Sequence, residues 1–369
     1  MKICVNLKAD ICTQTMIPSL IERNITKMSF DILPYNVLLH NHDSQESYIL
    51  EKLVHETTTL KVLHLEKMDA ATDEFHCSII KRDLLNLKEV WLNTYVNCST
   101  ALIHNFMSRC RNLQSLTLVV ECSTNSPFHH YFDHIKIIVS GLNTLRHLTI
   151  YQESYPHCYL IGYLSGCLPL DHPPQQLTSW NKRRKTSENS EQGSNDGLGN
   201  LTTLKFGAVC SHYNLAHEDI SYLANMKNLR ILSLQGLNDT VYVKCLSQVD
   251  LKITHLELDS VDLGDEALNY IIESQFPLQT LSIVLWRITD EGIKQLVRGD
   301  KQIEKLILCR CWKITDAALG FLCEMSSLKY LEITKDITAI TQKAKDKMRR
   351  MRKDVKLNEC NGFHIELFS

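Results

Sequence analysis

A short pattern of hydrophobic positions returns along most of the chain: an apolar residue, two variable residues, a second apolar residue, one variable residue and a third apolar residue. Five clear copies follow one another, and their first residues lie 24, 25, 25 and 25 positions apart. They are Leu229/Leu232/Leu234, Ile253/Leu256/Leu258, Leu278/Leu281/Ile283, Ile303/Leu306/Leu308 and Leu328/Leu331/Ile333. Copies in register at nearly constant spacing indicate a solenoid of stacked repeats.

The same signature extends toward the N-terminus, where the spacings are 27, 26, 32 and 56 residues. These copies are Leu60/Leu63/Leu65, Leu87/Val90/Leu92, Leu113/Leu116/Leu118, Leu145/Leu148/Ile150 and Leu201/Leu204/Phe206. Ile25/Met28/Phe30 forms a degenerate first copy, and Val355/Leu357 forms a truncated last one. The sequence therefore predicts about ten to twelve repeats.

Each repeat combines two hydrophobic periods. The alternation at its end is typical of a short strand whose apolar side chains all point to one side. The following segment has helical spacing, as in Ala318, Leu319, Leu322 and Cys323, which share one helix face. A single unit cannot bury its own leucines, so neighbouring units stack and their strands pair in parallel. We expect an α/β solenoid with a curved parallel sheet on its concave side and helices on its convex side.

One late repeat carries a cysteine and a threonine-aspartate pair at fixed places. It reads Leu306-x-Leu308-x-x-Cys311-x-x-Ile314-Thr315-Asp316-x-x-Leu319-x-x-Leu322. This repeat resembles the cysteine-containing leucine-rich repeats of the F-box/leucine-rich-repeat protein family, and two weaker copies carry Val261 or Trp286 where that family has cysteine. The threonine-aspartate pair suits a helix start, because side-chain oxygens accept the free backbone N–H groups there. The resemblance implies a leucine-rich-repeat solenoid.

In that family the repeats hold a target protein, and an N-terminal F-box binds a Skp-type adaptor of a cullin ubiquitin ligase. The resemblance implies a substrate-recognition subunit in ubiquitin-dependent protein degradation, without enzymatic activity of its own. Leu33–Leu39 is similar to the LPxx(V/I)L(L) core of an F-box, but Asn41–Glu46 interrupts the helical pattern that should follow. The alternative is a leucine-rich-repeat scaffold or inhibitor that works without an F-box.

The repeats divide the chain into five regions. Residues 1–54 form an N-terminal cap or a degenerate F-box-like or first-repeat region, and residues 55–170 carry leucine-rich repeats. Residues 171–200 have few apolar side chains and are predicted to form a disordered insertion loop. Residues 201–360 carry the cysteine-containing repeats, and residues 361–369 form a C-terminal cap or tail.

Charge and composition exclude several classes of protein. The 40 basic and 42 acidic residues give a net charge of −2, which provides no overall field to attract nucleic acid or a membrane surface. The longest uncharged run, Ser154–Leu170, is too short to span a membrane, and charge near the N-terminus argues against a signal peptide. The 14 cysteines include no CxxC pair and are typical of a cytoplasmic or nuclear protein with reduced thiols.

Two basic stretches each have two interpretations. Lys182–Lys185, followed by Thr186, Ser187 and Ser190, fits a nuclear-localisation signal beside phosphorylation sites, or a solvated loop. A second stretch fits the polar face of a terminal helix, or a nucleic-acid contact. The lack of a stacking aromatic favours the terminal helix. The second stretch comprises Lys343, Lys345, Lys347, Arg349, Arg350, Arg352 and Lys353.

The sequence has no signature of catalysis or metal binding. With only 13 glycines, it contains no GxGxxG or GxxxxGK[ST] phosphate loop, and it also lacks GxSxG and HExxH motifs. The close pairs of cysteine and histidine do not repeat at the spacing of a zinc site. These pairs are Cys309/Cys311, Cys210/His212, His76/Cys77 and His157/Cys158. We expect no catalytic residue, no metal and no cofactor.

The variable residues beside the strand leucines are the remaining candidate site. They are expected to line the concave face, where aromatic and charged side chains commonly anchor a protein partner. The candidates are Trp91, Tyr151, Lys205, His255, Glu257, Asp259, Ser282, Lys305, Ile307, Tyr330 and Glu332. The expected partner is a protein target, with a Skp-type adaptor and a cullin as further partners under the ligase interpretation.

Overall fold

A computed structural model describes eleven stretches of the chain. They are residues 2–5, 27–31, 59–68, 84–95, 108–121, 144–152, 199–208, 220–237, 239–260, 262–284 and 287–361. Three predicted features lie outside these stretches: the F-box-like Leu33–Leu39, residues 171–198 of the insertion loop with the basic cluster Lys182–Lys185, and all but the first residue of the 361–369 tail. The described residues form two compact units.

The first unit contains Met1–Ser154 and Gly162–Leu201 and carries a parallel sheet whose strands follow chain order. A register irregularity between Leu65 and Met68 interrupts the pairing of its third and fourth strands. The strands are β1 (Lys2–Val5), β2 (Lys27–Asp31), β3 (Val62–Met68), β4 (Glu89–Tyr95), β5 (Ser115–Glu121) and β6 (His147–Gln152).

The second unit contains Tyr155–Ile161 and Thr202–Ser369. Its strands also pair in parallel and in chain order: β7 (Thr203–Ala208), β8 (Ile231–Gln235), β9 (His255–Asp259), β10 (Thr280–Val284), β11 (Lys305–Cys309), β12 (Tyr330–Thr334) and β13 (Lys356–Cys360). A short 3₁₀ helix spans Tyr222–Asn225. The α-helices are α1 (Thr240–Ser247), α2 (Asp265–Glu273), α3 (Asp290–Arg298), α4 (Asp316–Leu322) and α5 (Gln342–Met351).

The repeat spacing sets the register of the second sheet. Leu256 of β9 lies level with Leu281 of β10, which lies level with Leu306 of β11 and then Leu331 of β12. Each of these four side chains is at most 1% exposed. Burying one leucine contributes about 2 kcal/mol, and the stacked repeats form a continuous leucine layer. The predicted α/β leucine-rich-repeat fold is confirmed.

Strands β4 to β6 and β8 to β12 begin with the same backbone contact to the preceding repeat. The carbonyl oxygen of Lys61 accepts hydrogen bonds from the N–H groups of Lys88 and Glu89, at 2.8 and 3.0 Å. In the second unit, the carbonyl of Thr254 accepts from Gln279 and Thr280 in the same way. Because the backbone makes this contact, the side chains at these positions remain free to vary.

The threonine-aspartate pairs join neighbouring helix starts. Thr315 caps α4 as expected, since its hydroxyl accepts the N–H of Ala317 at 3.3 Å. In addition, Asp290 at the start of α3 accepts both the N–H of Thr315 at 2.8 Å and its hydroxyl at 2.6 Å. Asp265 contacts Thr289 in the same way, and Asp316 contacts Thr341. These contacts form an aspartate-threonine ladder along the starts of α2 to α5.

The diagnostic cysteine lies where the repeat predicts it. Cys311 is fully buried, and its thiol donates to the carbonyl oxygens of Ile283 and Cys309 at 3.7 and 3.6 Å. On α4, Ala318, Leu319 and Leu322 are buried. Cys323 lies just beyond that helix and is half-buried.

The described residues contain thirteen strands, and twelve of them, β2 to β13, correspond to the predicted copies of the repeat. The degenerate first copy corresponds to β2, and the truncated last copy corresponds to β13. The additional strand, β1, pairs with β2 through the backbone from Lys2 to Val5. That short segment lacks the triple apolar spacing of a repeat, so the sequence pattern missed it.

Candidate functional site

Seven of the predicted partner-binding residues lie together on the second unit. We call the side of each sheet away from the leucine layer its open face. Alternation along the strands places all seven on this face, and each side chain is half-buried. They are Lys205 of β7, His255, Glu257 and Asp259 of β9, Lys305 of β11, and Tyr330 and Glu332 of β12. Ser282 and Ile307 occupy the intervening strands in the same register as Glu257 and Glu332.

One group on this face centres on Glu332. The hydroxyl of Tyr330 donates to Glu332 at 2.7 Å, and the side-chain amide of Asn358 donates to the same oxygen at 3.3 Å. The ammonium groups of Lys305 and Lys356 lie 5.0 and 5.7 Å from the centre of the Tyr330 ring. Both distances are in the range of cation–π contacts. We call these five residues the Glu332 cluster.

The charge of Glu332 is stabilised within this cluster. Burial alone would raise its pKa, but the hydrogen bonds from Tyr330 and Asn358 and the charge of Lys305 hold the pKa below its ordinary value. Burial and the contact with Glu332 raise the pKa of Tyr330 to about 12, so this hydroxyl keeps its proton. Within the cluster, the negative charge of Glu332 is therefore stabilised by donated hydrogen bonds and by a nearby ammonium group.

The carboxylates of β9 have a different environment. Burial raises the pKa of Glu257, although Lys205 and a hydrogen bond from Gln235 oppose the shift. Burial and the neighbouring charge of Glu257 raise the pKa of Asp259 to about 7, against the opposing charge of Arg310. We call Glu257 and Asp259 the β9 carboxylate pair. The surrounding side chains stabilise its negative charge poorly.

Arg310 also pairs with Asp336. It follows β11 with a φ of 53°, and its backbone N–H donates to the hydroxyl of Thr334 at 2.8 Å. Its guanidinium nitrogen lies 3.5 Å from a carboxylate oxygen of Asp336. The charge of Arg310 is therefore shared with Asp336, which leaves less of it to stabilise Asp259.

The thiols at the ends of the neighbouring strands are buried. Cys309 and Cys360 are each 8% exposed and lie level with Thr334 on the strand between them. Burial raises the pKa of Cys309 to about 12, so it remains a protonated thiol and a poor nucleophile. Among the residues that the structure describes, no group of three or more histidine, cysteine or acidic side chains could hold a metal ion.

The other two predicted residues lie on the open face of the first unit. Trp91 of β4 is half-buried, and its ring centre is 5.9 Å from that of His64 on β3. His64 in turn lies 3.6 Å from a carboxylate oxygen of Glu89. Within the described residues, the indole N–H of Trp91 is buried without a hydrogen-bond partner. Much of the Trp91 ring therefore packs within its own sheet.

Tyr151 requires a correction. The alternation pattern predicts an accessible side chain, but Tyr151 is only 2% exposed. Its register partner on β5, Val119, is 9% exposed. Alternation determines which side of a sheet a residue faces, whereas the amount of chain covering that side depends on the folded structure. Tyr151 thus presents almost no surface to a partner.

The basic stretch near the C-terminus lies on and just after helix α5, as expected, and several of its side chains turn inward. Lys345 is 8% exposed and pairs with Glu359 at 2.8 Å. Arg349 contacts the same carboxylate group at 2.8 Å. Arg352 donates to the backbone carbonyls of Cys323, Met325 and Leu328, at distances from 2.7 to 3.2 Å. These contacts give the three side chains a structural role in closing the last repeat.

Several members of the open face escaped the sequence interpretation. The predicted residues interact with four others: Gln235, Lys356, Asn358 and Arg310. The register of the strand leucines was the available signal, because it aligns Asn358 with Glu332 and Gln235 with Asp259.

Comparison with known proteins gives no family for this chain. No protein-family model matches it, and no curated protein matches it. Among solved structures, 85 chains match. One is in the crystal structure of the yeast Rad7 and Elc1 complex, with 14% sequence identity and a TM-score of 0.48, covering 96% of this chain and 83% of that chain. In the described part of the chain, no helix is both long and apolar enough to cross a membrane.

Proposed function

We propose that this chain is a non-enzymatic protein-binding module and that the open face of the second unit is its principal binding surface. One observation carries the proposal: seven charged, aromatic or imidazole side chains stand in fixed register above a buried leucine layer. These side chains extend from a hydrogen-bonded sheet whose backbone is already ordered. The protein therefore loses less conformational entropy when a partner binds.

The dimensions of this face suit a protein partner. Seven strands spaced by about 4.8 Å give a surface roughly 30 Å wide. Tyrosine, lysine and acidic side chains are distributed across it. Aromatic and charged groups on a broad, preformed surface are typical anchors for a protein.

The binding surface can be tested by quantitative affinity purification. The double variant Lys205→Glu/Lys305→Glu reverses two charges on the open face, and we expect it to lose the interactors that native protein retains. The matched control Lys252→Glu/Lys227→Glu makes the same charge change at exposed positions away from this face. An interactor set that survives the first double variant as well as the second contradicts the proposal.

The finer role has two candidates. The first is substrate recognition for an SCF-type cullin ubiquitin ligase, supported by the cysteine-containing repeat around Cys311. The second is an F-box-independent scaffold or inhibitor. The topology of the first unit favours the second role, because β1 and β2 are already paired strands, and the F-box-like Leu33–Leu39 falls in the segment connecting β2 to β3. The strands on either side of this segment, β2 and β3, pair with each other as neighbouring repeats do.

Co-purification with a Skp-type adaptor separates the two roles. The full chain and an authentic F-box protein are each expressed with the adaptor and purified in parallel. Retention of the adaptor by both proteins supports the ligase subunit. Retention by the F-box protein alone supports the scaffold or inhibitor, which is the outcome that we expect from the strand order.

A further inference from the structure

Helix α5 and the residues directly after it are strongly basic, unlike the helices before them. Residues 342–354 carry seven basic and two acidic side chains. By contrast, α2 carries three acidic side chains and no basic one, α3 carries two of each, and α4 carries a single acidic one. The net charge of the whole chain is −2, so this stretch is opposite in sign to the chain as a whole.

Three of the seven basic side chains are used within the fold. Lys345 and Arg349 contact Glu359, and Arg352 donates to three backbone carbonyls. The other four are exposed to solvent: Lys343, Lys347, Arg350 and Lys353. Among the described residues, none of these four forms an ion pair with an acidic side chain.

Three of the exposed cations share one side of the helix. Lys343, Lys347 and Arg350 are spaced at i, i+4 and i+7, which places them on one face. The buried residues of α5, Lys345 and Met348, lie on the opposite face. We call Lys343, Lys347 and Arg350 the α5 basic face. At about 1.5 Å per residue, this face is roughly 10 Å long.

The acidic side chains beside this face already have partners. Asp346 accepts a hydrogen bond from Arg349 at 3.0 Å, and Asp354 accepts one from Arg352 at 2.7 Å. The negative charges of α5 and the residues after it are therefore paired with cations that do not belong to the α5 basic face.

At the start of α5, Asp316 offsets part of the charge of Lys343. Hydrogen bonds from Thr341 are the main reason that the pKa of Asp316 is low, and the charge of Lys343 lowers it further. In the part of the chain that the structure describes, no acidic side chain pairs with Lys347 or Arg350. An anionic group from outside therefore gains most along this face.

The α5 basic face is separate from the open face. Glu359, which pairs with Lys345, lies level with Ile333 of β12, and Ile333 is 1% exposed in the leucine layer. Helix α5 thus packs on the leucine side of the sheet, and its basic face points away from that layer. A partner bound to α5 does not occupy the residues of the open face.

The size and surroundings of the α5 basic face favour a protein partner over nucleic acid. Proteins bind nucleic acid through many phosphate contacts, whereas this face offers three cations over about 10 Å. Residues 342–354 contain no aromatic side chain on which a base stacks. Beside the face, Met351 is 60% exposed, and exposed methionine is enriched in protein interfaces.

We propose that the α5 basic face is a second docking surface, for a short segment of a partner protein that carries several aspartate or glutamate side chains and an apolar side chain. The carboxylates pair with Lys343, Lys347 and Arg350, and the apolar side chain packs on Met351. Charge complementarity selects the acidic segment. This inference goes beyond the function proposed for the open face and does not depend on that surface.

The test measures peptide binding to the full chain by fluorescence anisotropy in about 0.1 M salt, where exposed charges more than about 10 Å away are screened. The probe is a labelled glycine-serine peptide with four glutamates and one leucine, and its counterpart carries four lysines in place of the glutamates. We expect the acidic peptide to bind and the basic one to remain unbound. The triple variant Lys343→Gln/Lys347→Gln/Arg350→Gln should weaken binding of the acidic peptide at least tenfold, because it removes three charge pairs while glutamine preserves the helix.

The matched control is Lys227→Gln/Lys244→Gln/Lys252→Gln, which removes three positive charges at exposed positions in earlier repeats. It should change affinity for the acidic peptide by no more than about twofold. Circular dichroism and thermal melting establish that each variant is folded. Equal binding of the two peptides overturns the inference, as does an equal loss of affinity in the two triple variants.

A labelled DNA duplex tests the other class of anion. We expect it to bind more weakly than the acidic peptide. A duplex that binds more tightly than the peptide, and that loses this binding in the α5 triple variant, makes the face a nucleic-acid surface and the acidic-segment inference wrong.

The open-face variant Lys205→Glu/Lys305→Glu separates this inference from the proposed function. It should leave the affinity for the acidic peptide within about twofold of native protein. If the affinity-purified interactors depend on Lys205 and Lys305 but the acidic peptide does not bind, the open-face function stands and the α5 inference is wrong. If the peptide binds through α5 but the interactors survive the open-face variant, the α5 inference stands and the open-face function is wrong.

Discussion

At the scale of single residues, the open face shows that equivalent positions can have opposite electrostatics. Glu257 and Glu332 come from the same place in their repeats, yet burial raises the pKa of the first while hydrogen bonds lower that of the second. The difference arises from Tyr330 on the same strand as Glu332 and from Asn358 and Lys305 on the neighbouring strands. A carboxylate whose charge the fold does not stabilise reduces stability unless a partner compensates it, and such residues are typical of binding sites.

Asp259 leads to a prediction about pH. Its pKa is about 7 in the folded protein against an ordinary value of 3.8, so the folded state binds more protons between these values. Stability from this group is therefore present at low pH and is lost as pH rises through that window. We expect Asp259→Asn to be more stable than native protein at pH 8, by about 1 kcal/mol.

Thermal melting at pH 5 and pH 8 checks this prediction. The gain in Tm of Asp259→Asn over native protein should be larger at pH 8, where the native carboxylate is charged. Glu332→Gln is the control, and it should not be stabilised at pH 8, because it loses a carboxylate that its neighbours stabilise. An Asp259→Asn variant that melts below native protein at pH 8 contradicts the assignment.

At the scale of elements, the aspartate-threonine ladder determines how consecutive helices begin. Asp290 accepts two hydrogen bonds from Thr315 in the next repeat, and Thr315 caps its own helix α4. One side chain thus stabilises a helix start 25 residues away. Each repeat thereby depends on its neighbour through polar contacts as well as through the leucine layer.

The stabilising effect of the aspartate-threonine ladder can be tested by removing one of its aspartates. Asp290→Ala leaves the N–H and hydroxyl of Thr315 without this acceptor, and we expect it to reduce the free energy of unfolding by about 1–2 kcal/mol. The control Asp250→Ala removes an exposed aspartate whose partner Lys252 lies 3.8 Å away, and it should change stability by less than about 0.5 kcal/mol. Urea denaturation measures both. Equal effects of the two substitutions are incompatible with a stabilising ladder.

At the scale of the whole molecule, a stack of repeats needs a closed end. The last repeat of the second unit is held by Arg352, which reaches three backbone carbonyls, and by Lys345 and Arg349, which share Glu359. Residues that resembled a nucleic-acid patch in the sequence thus act as internal contacts. Arg352 joins this repeat to the preceding one, and Lys345 and Arg349 join helix α5 to β13.

We expect Arg352→Ala to destabilise the last repeat of the second unit more than the repeats before it. It removes hydrogen bonds to the carbonyls of Cys323, Met325 and Leu328, and we expect a loss of about 2 kcal/mol. Hydrogen exchange of β13 should accelerate more than that of β9. Arg350→Ala, which removes an exposed arginine from the same stretch, is the control and should leave exchange in β13 near native rates.

The repeat pattern alone predicted the register of β8 to β12 correctly, because a buried leucine layer tolerates few other residues at those positions. It also predicted the cap at Thr315. It missed β1, because backbone hydrogen bonds pair β1 with β2 and require no particular side chains. The pattern also did not predict that each aspartate accepts hydrogen bonds from the threonine of the next repeat, because these contacts join two repeats.

The sequence by itself therefore determined the repeating α/β architecture and the side of the sheet on which each candidate residue lies, because both follow from local periods of two and of about twenty-five residues. Only the tertiary structure decided which of these residues are exposed and which charges are satisfied. It buried Tyr151, enclosed Glu332 among donors and left the β9 carboxylate pair poorly compensated. Burial and electrostatics depend on neighbours from other repeats, and a linear pattern does not contain that information.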